Sequence, residues 1–278
     1  MNFASKIQAI LEAIDTIEQC NDVLPALLAE FPKLSEYLGR FDIDINKLYP
    51  LGAGCQGTAY SDGKIVVKFT EDTQEVKASA RLMEKPVAGV NPIIHVGRFD
   101  RPIMWHKGVF SVEGSKSYFY LIIQDLQDTN LTPDEQIIAG AVGDFLVEFF
   151  HREDSTAHQR GEGLIALLDK LSSKASISAI AKHLAEAALK GHSGKTTVAN
   201  LMIARKLMEA VINLYLEAGV RFFDVQPGNV AKDRDGNYIL IDIGVSQTRG
   251  RIPPYGVIES KLQQFSAELV NYGLEVIH

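Results

Sequence analysis

The chain has 278 residues, 46% of them hydrophobic, and a formal net charge of −7. That apolar content can build a large core in one domain or two lobes, while the acidic balance and the absence of long Lys/Arg runs exclude bulk nucleic-acid binding. Cys20 and Cys55 make no disulfide framework and no metal-ligand spacing, no apolar run approaches the ~20 residues that span a bilayer, and the charged N-terminal stretch is no signal peptide. A soluble, cytoplasmic protein with neither membrane nor nucleic-acid partners is expected.

Ile7, Ile10, Leu11, Ile14 and Ile17 recur at helical spacing, which predicts a helix over residues 3–19. A second helix is predicted from Leu24 to Leu38, with Pro25 in its first turn and Gly39 past its end. Residues 1–45 therefore read as a helical extension whose apolar stripe packs on the body, partner docking being the alternative use. From Leu48 to Ile123 the texture turns to strands, at 48–51, 58–61, 64–70, 93–98 and 118–123, with Asp62-Gly63 as a hairpin turn. One helix interrupts them, carrying Val76, Ala80, Leu82 and Met83 and closed by Pro86. After Leu126 the chain becomes helical. Thr132-Pro133-Asp134-Glu135 is a capping box, and helices are predicted over 133–151, 162–172, 176–190 and 195–217. The last ends at Gly219, and a hairpin turning on Asp235-Gly236 follows. Three regions result: 1–45 helical, 46–125 β-rich and 126–278 helical.

Gly52, Gly54 and Gly57 form a G-x-G-x-x-G pattern between two strands of a hairpin. A dinucleotide fold would need strand, turn and helix there. Between two strands, the glycines let backbone N–H groups approach phosphate oxygens. Lys68 follows, inside the apolar strand Ile65-Val66-Val67-Lys68; a cation there is costly without an anion, unless it merely lies on the wet face of an edge strand. Glu75 and Glu84 are the helix carboxylates that can hold it, and Glu75 is preferred because it shares a helix face with Ala78, Ser79 and Leu82. Backbone groups at Gln124, Asp125 and Leu126, where the last strand runs out, suit an adenine edge. Asp224, Asn229 and Asp242 then stand at the ends of short strand-like segments, and such a set can supply two oxygen ligands to Mg²⁺ and one carboxylate base. A hairpin with polar turn residues is the plainer reading of the same stretch. Gly191-His192-Ser193-Gly194-Lys195-Thr196-Thr197 imitates a P-loop, but Leu189 occupies the first glycine position and a helix precedes it, so Thr196 or Thr197 reads as a helix N-cap. Cys55 at the tip of the Gly-rich turn reads as incidental.

In this order the motifs resemble the protein-kinase-like superfamily, in particular its divergent bacterial, phage and aminoglycoside-phosphotransferase-like members. The resemblance runs from about residue 48 to residue 246. It implies an α+β, bilobal fold: a small antiparallel sheet with one helix, then a mainly α-helical lobe, here preceded by the helical extension. It implies ATP and Mg²⁺ as cofactors, with Asp224 as base, Asn229 and Asp242 as metal ligands, Lys68 on the phosphates and Glu75 clamping Lys68. Departures are Phe222 in place of the family's His, Gln226 in place of the Lys that supports the transferring phosphate, and Asp242-Ile243-Gly244 in place of Asp-Phe-Gly. No Ala-Pro-Glu follows, so the usual peptide-docking platform is not expected. Ser246, Thr248, Arg249 and Arg251 read as an activation-like segment or a solvated loop. The expected activity is phosphoryl transfer to a Ser or Thr of a protein, the chain itself included. The alternatives are a small-molecule kinase, a nucleotide-binding pseudokinase or scaffold, and a nucleotidyl transferase.

Overall fold

The computed structural model describes residues 24–25, 27–29, 33–54, 57–70, 72–99, 104–106, 109–111, 119–151, 174–190, 197–222, 224–243 and 246–248. The helices expected over 3–19 and 162–172, together with Cys55, the 191–196 loop, Gly244, Arg249 and Arg251, lie outside these residues. The chain divides into two compact units, Met1–Met83 with Ile93–Leu126 and Glu84–Pro92 with Gln127–His278. Among the described residues no helix is long and apolar enough to cross a membrane.

In the first unit, apolar strands separated by polar turns pair into one antiparallel sheet, in the order Tyr49–Gly54, Gly57–Ser61, Ile65–Thr70, Phe119–Asp125, Ile93–Phe99. The strands are β1 (Tyr49–Gly54), β2 (Gly57–Ser61), β3 (Ile65–Thr70), β4 (Ile93–Phe99) and β7 (Phe119–Asp125). Asp62 and Gly63 make the β2–β3 turn for identifiable reasons: the Asp62 carboxylate accepts the Lys64 and Ile65 N–H groups at 2.9 and 3.1 Å, and Gly63 takes φ +91°. A hairpin of β5 (Met104–His106) and β6 (Val109–Ser111) was not foreseen from the sequence; strands of three residues are too short for an alternation signal.

Strand side chains alternate between faces. Tyr60, Val67, Phe69, Leu121 and Ile123 gather in one buried cluster with Leu27, Leu34, Leu38, Ile43 and Ile45. Leu24, Leu27 and Leu28, helix α1 (Leu34–Gly39) and a 3₁₀ turn (Ile45–Lys47) thus cover one side of the sheet. The stripe expected over Leu24–Leu38 does pack on the body, although Gly39 belongs to the helix and the left-handed residue beyond it is Asp42, φ 59°. Helix α2 (Thr73–Glu84) buries Glu75, Ala78, Ser79 and Leu82, one face at helical spacing.

The second unit contains α3 (Pro133–His151), α4 (Lys174–Lys190) and α5 (Val198–Ala218), followed by β8 (Val220–Phe222), β9 (Val230–Lys232), β10 (Tyr238–Leu240) and β11 (Ser246–Thr248). The capping box is reciprocal, as the sequence demands: Thr132 N–H donates to Glu135 Oε2 at 2.7 Å and Glu135 N–H to Thr132 Oγ1 at 3.3 Å. Thr197 caps α5 by accepting Asn200 N–H at 3.1 Å, and Gly219 ends the helix with φ 63°. The segment Glu84–Pro92, expected with the strands, belongs to this unit. The Asn91 N–H donates to Leu240 O at 2.8 Å, and Leu240 N–H donates to Gly89 O at 2.9 Å. Gly89, at φ +81°, sits where a Cβ would come within 2.7 Å of Ala210 Cβ. A five-stranded antiparallel sheet with several helices makes the described chain α+β.

Candidate active site

The first unit holds the Gly-rich turn and the lysine. Strands β1 and β2 pair as Gly52 with Ala59, Ala53 with Thr58 and Gly54 with Gly57, and a register shift between Pro50 and Gly52 skips Leu51. A Cβ at Gly52 would meet nothing within 4 Å, so open space lies beside that backbone. Gly57 differs. A Cβ there would fall 2.2 Å from Phe69 O, so close approach of β3 already requires this glycine, whatever lies over the turn.

Lys68 occupies the middle of β3, opposite Ala59 on β2 and Ile122 on β7. Its Nζ lies 2.7 Å from Glu75 Oε1, with the side chains 18% and 5% exposed. Of the two carboxylates considered for Lys68, Glu75 is the one bonded to it. Glu75 stands in the first turn of α2, where a negative charge meets the positive end of the helix dipole. At the end of β7, Gln124 pairs with Val66 and Ile93, and Asp125 pairs with Ile65. Leu126 N–H is donated to Lys64 O at 2.9 Å, so an adenine edge at Leu126 would find only its carbonyl.

The second unit holds the carboxylate loop. Helix α5 ends at Gly219, β8 runs for three residues, and Asp224 follows just before a 3₁₀ turn, Pro227–Asn229. Asn229 Nδ2 donates both to Asp224 O at 2.8 Å and to Asp224 Oδ2 at 3.0 Å. Gln226 Nε2 donates to the same Oδ2 at 3.1 Å. The Asn229 amide nitrogen is thereby committed to Asp224, leaving Oδ1 as the coordinating atom of that side chain. Ile241 N–H donates to Asn229 O at 3.0 Å, which ties Asn229 to the residue preceding Asp242. Hard oxygen donors of this kind fit Mg²⁺, which keeps most of its shell as water and phosphate oxygen and takes one or two protein ligands. Among the described residues no cluster of three or more His, Cys, Asp or Glu forms a denser metal site.

The hairpin between Asn229 and Asp242 is gripped on both edges. Asp128 exchanges backbone bonds with Lys232 on β9, at 3.1 and 2.8 Å, while Gly89 and Asn91 bracket Leu240 on β10. A third hold is ionic: Lys232 Nζ lies 2.7 Å from Glu135 Oε1, and the Tyr238 hydroxyl donates to the same oxygen at 2.5 Å. Burial works to raise the Glu135 pKa. Hydrogen bonds from Lys232, Tyr238 and Thr132 N–H, with the Lys232 charge, overcome it and hold the carboxyl at about 2 against an ordinary 4.5. Burial, then the bond to Glu135 and its charge, push the Tyr238 hydroxyl up to about 12.

Two positioning features escaped the sequence reading. Glu135 read only as a helix cap, and nothing local announced that Lys232 and Tyr238 would converge on it. Gly143 lies inside α3, where a Cβ would fall 1.9 Å from Val225 O. The backbone next to Asp224 lies against the helix at this glycine. The available signal was a glycine inside an otherwise regular helix, which costs about 1 kcal/mol relative to Ala and so asks for a reason. Phe222 is buried in β8 opposite Ser246. Ser246 and Thr248 therefore lie in a strand paired with β8, not in an open loop.

No known family model matches the chain, and no curated protein matches it. Among solved structures it is similar to WbdD in complex with a kinase inhibitor, at 13% identity and TM-score 0.29, over 80% of this chain and 36% of that one. It is also similar to WbdD described as a bifunctional kinase-methyltransferase, at 14% identity and TM-score 0.28, over 78% of this chain and 34% of that one. The chain thus spans about a third of the length of these structures, and a likeness at this TM-score carries no argument about activity.

Proposed function

We propose that the chain is an ATP- and Mg²⁺-dependent phosphotransferase, a divergent bacterial or phage-type member of the protein-kinase-like superfamily. In this reading residues 46–125 form a β-rich first lobe, residues 126–278 a helical second lobe, and residues 1–45 a helical extension. The observation that carries it is the Lys68–Glu75 pair, at 2.7 Å and almost out of water in the middle of a packed sheet. A buried ion pair is a poor stabiliser compared with apolar packing. Its presence beside the Gly-rich turn therefore favours a functional anion for Lys68.

Lys68 engages the phosphates of ATP while Glu75 fixes the direction of its Nζ. Gly52 leaves room for the nucleotide under the β1–β2 turn. Asn229 and Asp242 hold Mg²⁺, which when bound neutralises phosphate charge. Asp224, held through Oδ2, orients the acceptor hydroxyl and takes up its proton. The rest of the acceleration comes from positioning and electrostatics. The acceptor we favour is a Ser or Thr hydroxyl on a protein, this chain included, because the sequence shows no acidic cluster suited to a cationic small molecule.

Incubating the protein with γ-labelled and separately with α-labelled ATP, with and without cell lysate, tests the reading. Label from the γ-position alone, lost in Asp224→Asn, is expected. Label from the α-position would mean nucleotidyl transfer, and no label in either arm would end the enzyme reading.

A further inference from the structure

The position two residues after Asp224 carries an uncharged amide, and the amide is bonded. Gln226 Nε2 donates to Asp224 Oδ2 at 3.1 Å, and Asn229 Nδ2 donates to the same atom at 3.0 Å. Both donors thus converge on one carboxylate oxygen, while no described residue donates to Oδ1. A carboxylate gripped at one oxygen by two neutral amides has a fixed plane, and its other oxygen is left for a new donor. Asn229 is itself fixed by its bond to Asp224 O at 2.8 Å. The loop is further braced from behind at Gly143, where α3 approaches Val225 O. Gln226 is exposed.

The geometry points to Gln226 as a positioning residue that, with Asn229, holds Asp224 by Oδ2 so that Oδ1 receives the acceptor hydroxyl. The inference rests on the phosphotransferase reading and deepens it. In the transfer step the acceptor O–H bond breaks as its oxygen bonds to the γ-phosphorus, the bond from that phosphorus to the β-bridging oxygen breaks, ADP leaves, and the hydroxyl proton passes to Asp224 Oδ1. Gln226 moves no proton in this scheme and adds no charge. What it supplies is the direction of the carboxylate, a service that any donor of similar reach can perform and that an isosteric acceptor reverses.

Four variants of the full chain test this: Gln226→Ala, Gln226→Lys, Gln226→Glu and Gln226→Ala in an Asp224→Asn background. Losing a hydrogen bond to a charged group should lower kcat about tenfold in Gln226→Ala, with KM for Mg·ATP unchanged. Gln226→Lys, which restores a donor, should regain most of that loss. Gln226→Glu, which sets a second carboxylate against Oδ2, should fall below Gln226→Ala. In the Asp224→Asn background the Ala substitution should add nothing, since the two residues act through one bond. A merely structural role would move thermal stability and KM together and would give additive losses. Normal turnover in Gln226→Ala, failure of Gln226→Lys to recover, or additivity with Asp224→Asn would each overturn the inference while wild-type transfer stands. An inactive wild type that still binds Mg·ATP would instead fell the phosphotransferase reading, and this role with it.

Discussion

Lys68 and Glu75 in the first unit are fixed by charge inside a packed sheet, whereas Asp224 and Asn229 in the second are fixed by neutral amides and backbone edges. The lysine is built into a central strand between β2 and β7, with its carboxylate on a buried helix face. Asp224 lies in a short loop, and its neighbours hold it through three hydrogen bonds from two side-chain amides. Around it, order comes from outside: Gly143 against Val225, Asp128 against Lys232, Gly89 and Asn91 against Leu240. A buried charge cannot lose its partner without a large cost, while the exposed Gln226 amide can be lost with little effect on folding. Substitutions at Lys68 and Glu75 should therefore change stability and activity together, and substitution of Gln226 beside Asp224 should separate the two.

The largest break in that contrast lies at Lys68. Removing one partner of a buried pair costs about 3–5 kcal/mol, because the other charge is stranded, whereas replacing both by apolar groups is often neutral. Lys68→Met should thus unfold at markedly lower denaturant, and Lys68→Met with Glu75→Leu should recover most of the midpoint while binding Mg·ATP no better. Equal midpoints for wild type and Lys68→Met would show that the pair is not buried as described.

A smaller effect separates two glycines of one helix. Gly143→Ala forces a Cβ against Val225 O, and should cost about 1–3 kcal/mol by overpacking and lower turnover further by shifting the Asp224 loop. A Cβ at Gly140 meets nothing within 4 Å, so Gly140→Ala should stabilise the helix by about 1 kcal/mol with turnover intact. Urea midpoints and kcat for the two variants decide it.

Acid should act selectively on the hairpin clamp. The Glu135 carboxyl is held at about 2 against an ordinary 4.5, so the stability it contributes is complete above pH 4.5 and is lost as pH falls towards 2. Glu135→Gln should flatten the acid limb of the stability curve in that window; an unchanged limb would remove Glu135 from the clamp. The smallest effect belongs to His95, whose Nε2 bonds the Tyr37 hydroxyl at 2.5 Å while Phe41 lies on its ring. Burial lowers its pKa from 6.5, so stability from this contact is full above pH 6.5 and declines as pH drops below it. A slight acid-side loss of thermal stability, absent in His95→Phe, is the expected result.

How much of this was legible depended on the range of the interaction. Thr132 with Glu135, Asp62 with Gly63, and Gly219 after α5 announce themselves because the partners lie within a few residues and each residue type has a local backbone task. Lys68 was legible because a cation in an apolar strand is an anomaly, and Glu75 because its helix face could be counted. The bonds that seat the Asn229–Asp242 hairpin were not, since Gly89 O and Asn91 N–H reach Leu240 through the backbone and carry no residue code. Gly57 was half legible: the pattern marked it, but its glycine is already required by Phe69 O. Glu135 had one visible duty at the helix N-terminus and a second that appears only when Lys232 and Tyr238 fold back on it.

The most direct test of the account is calorimetric Mg·ATP binding measured beside γ-phosphate transfer for wild type, Lys68→Met with Glu75→Leu, and Asp224→Asn. The double variant should lose binding and transfer together, while Asp224→Asn should bind as wild type and lose transfer by about 10²–10⁴-fold. Wild-type transfer in Asp224→Asn, or undiminished Mg·ATP affinity in the double variant, would contradict it.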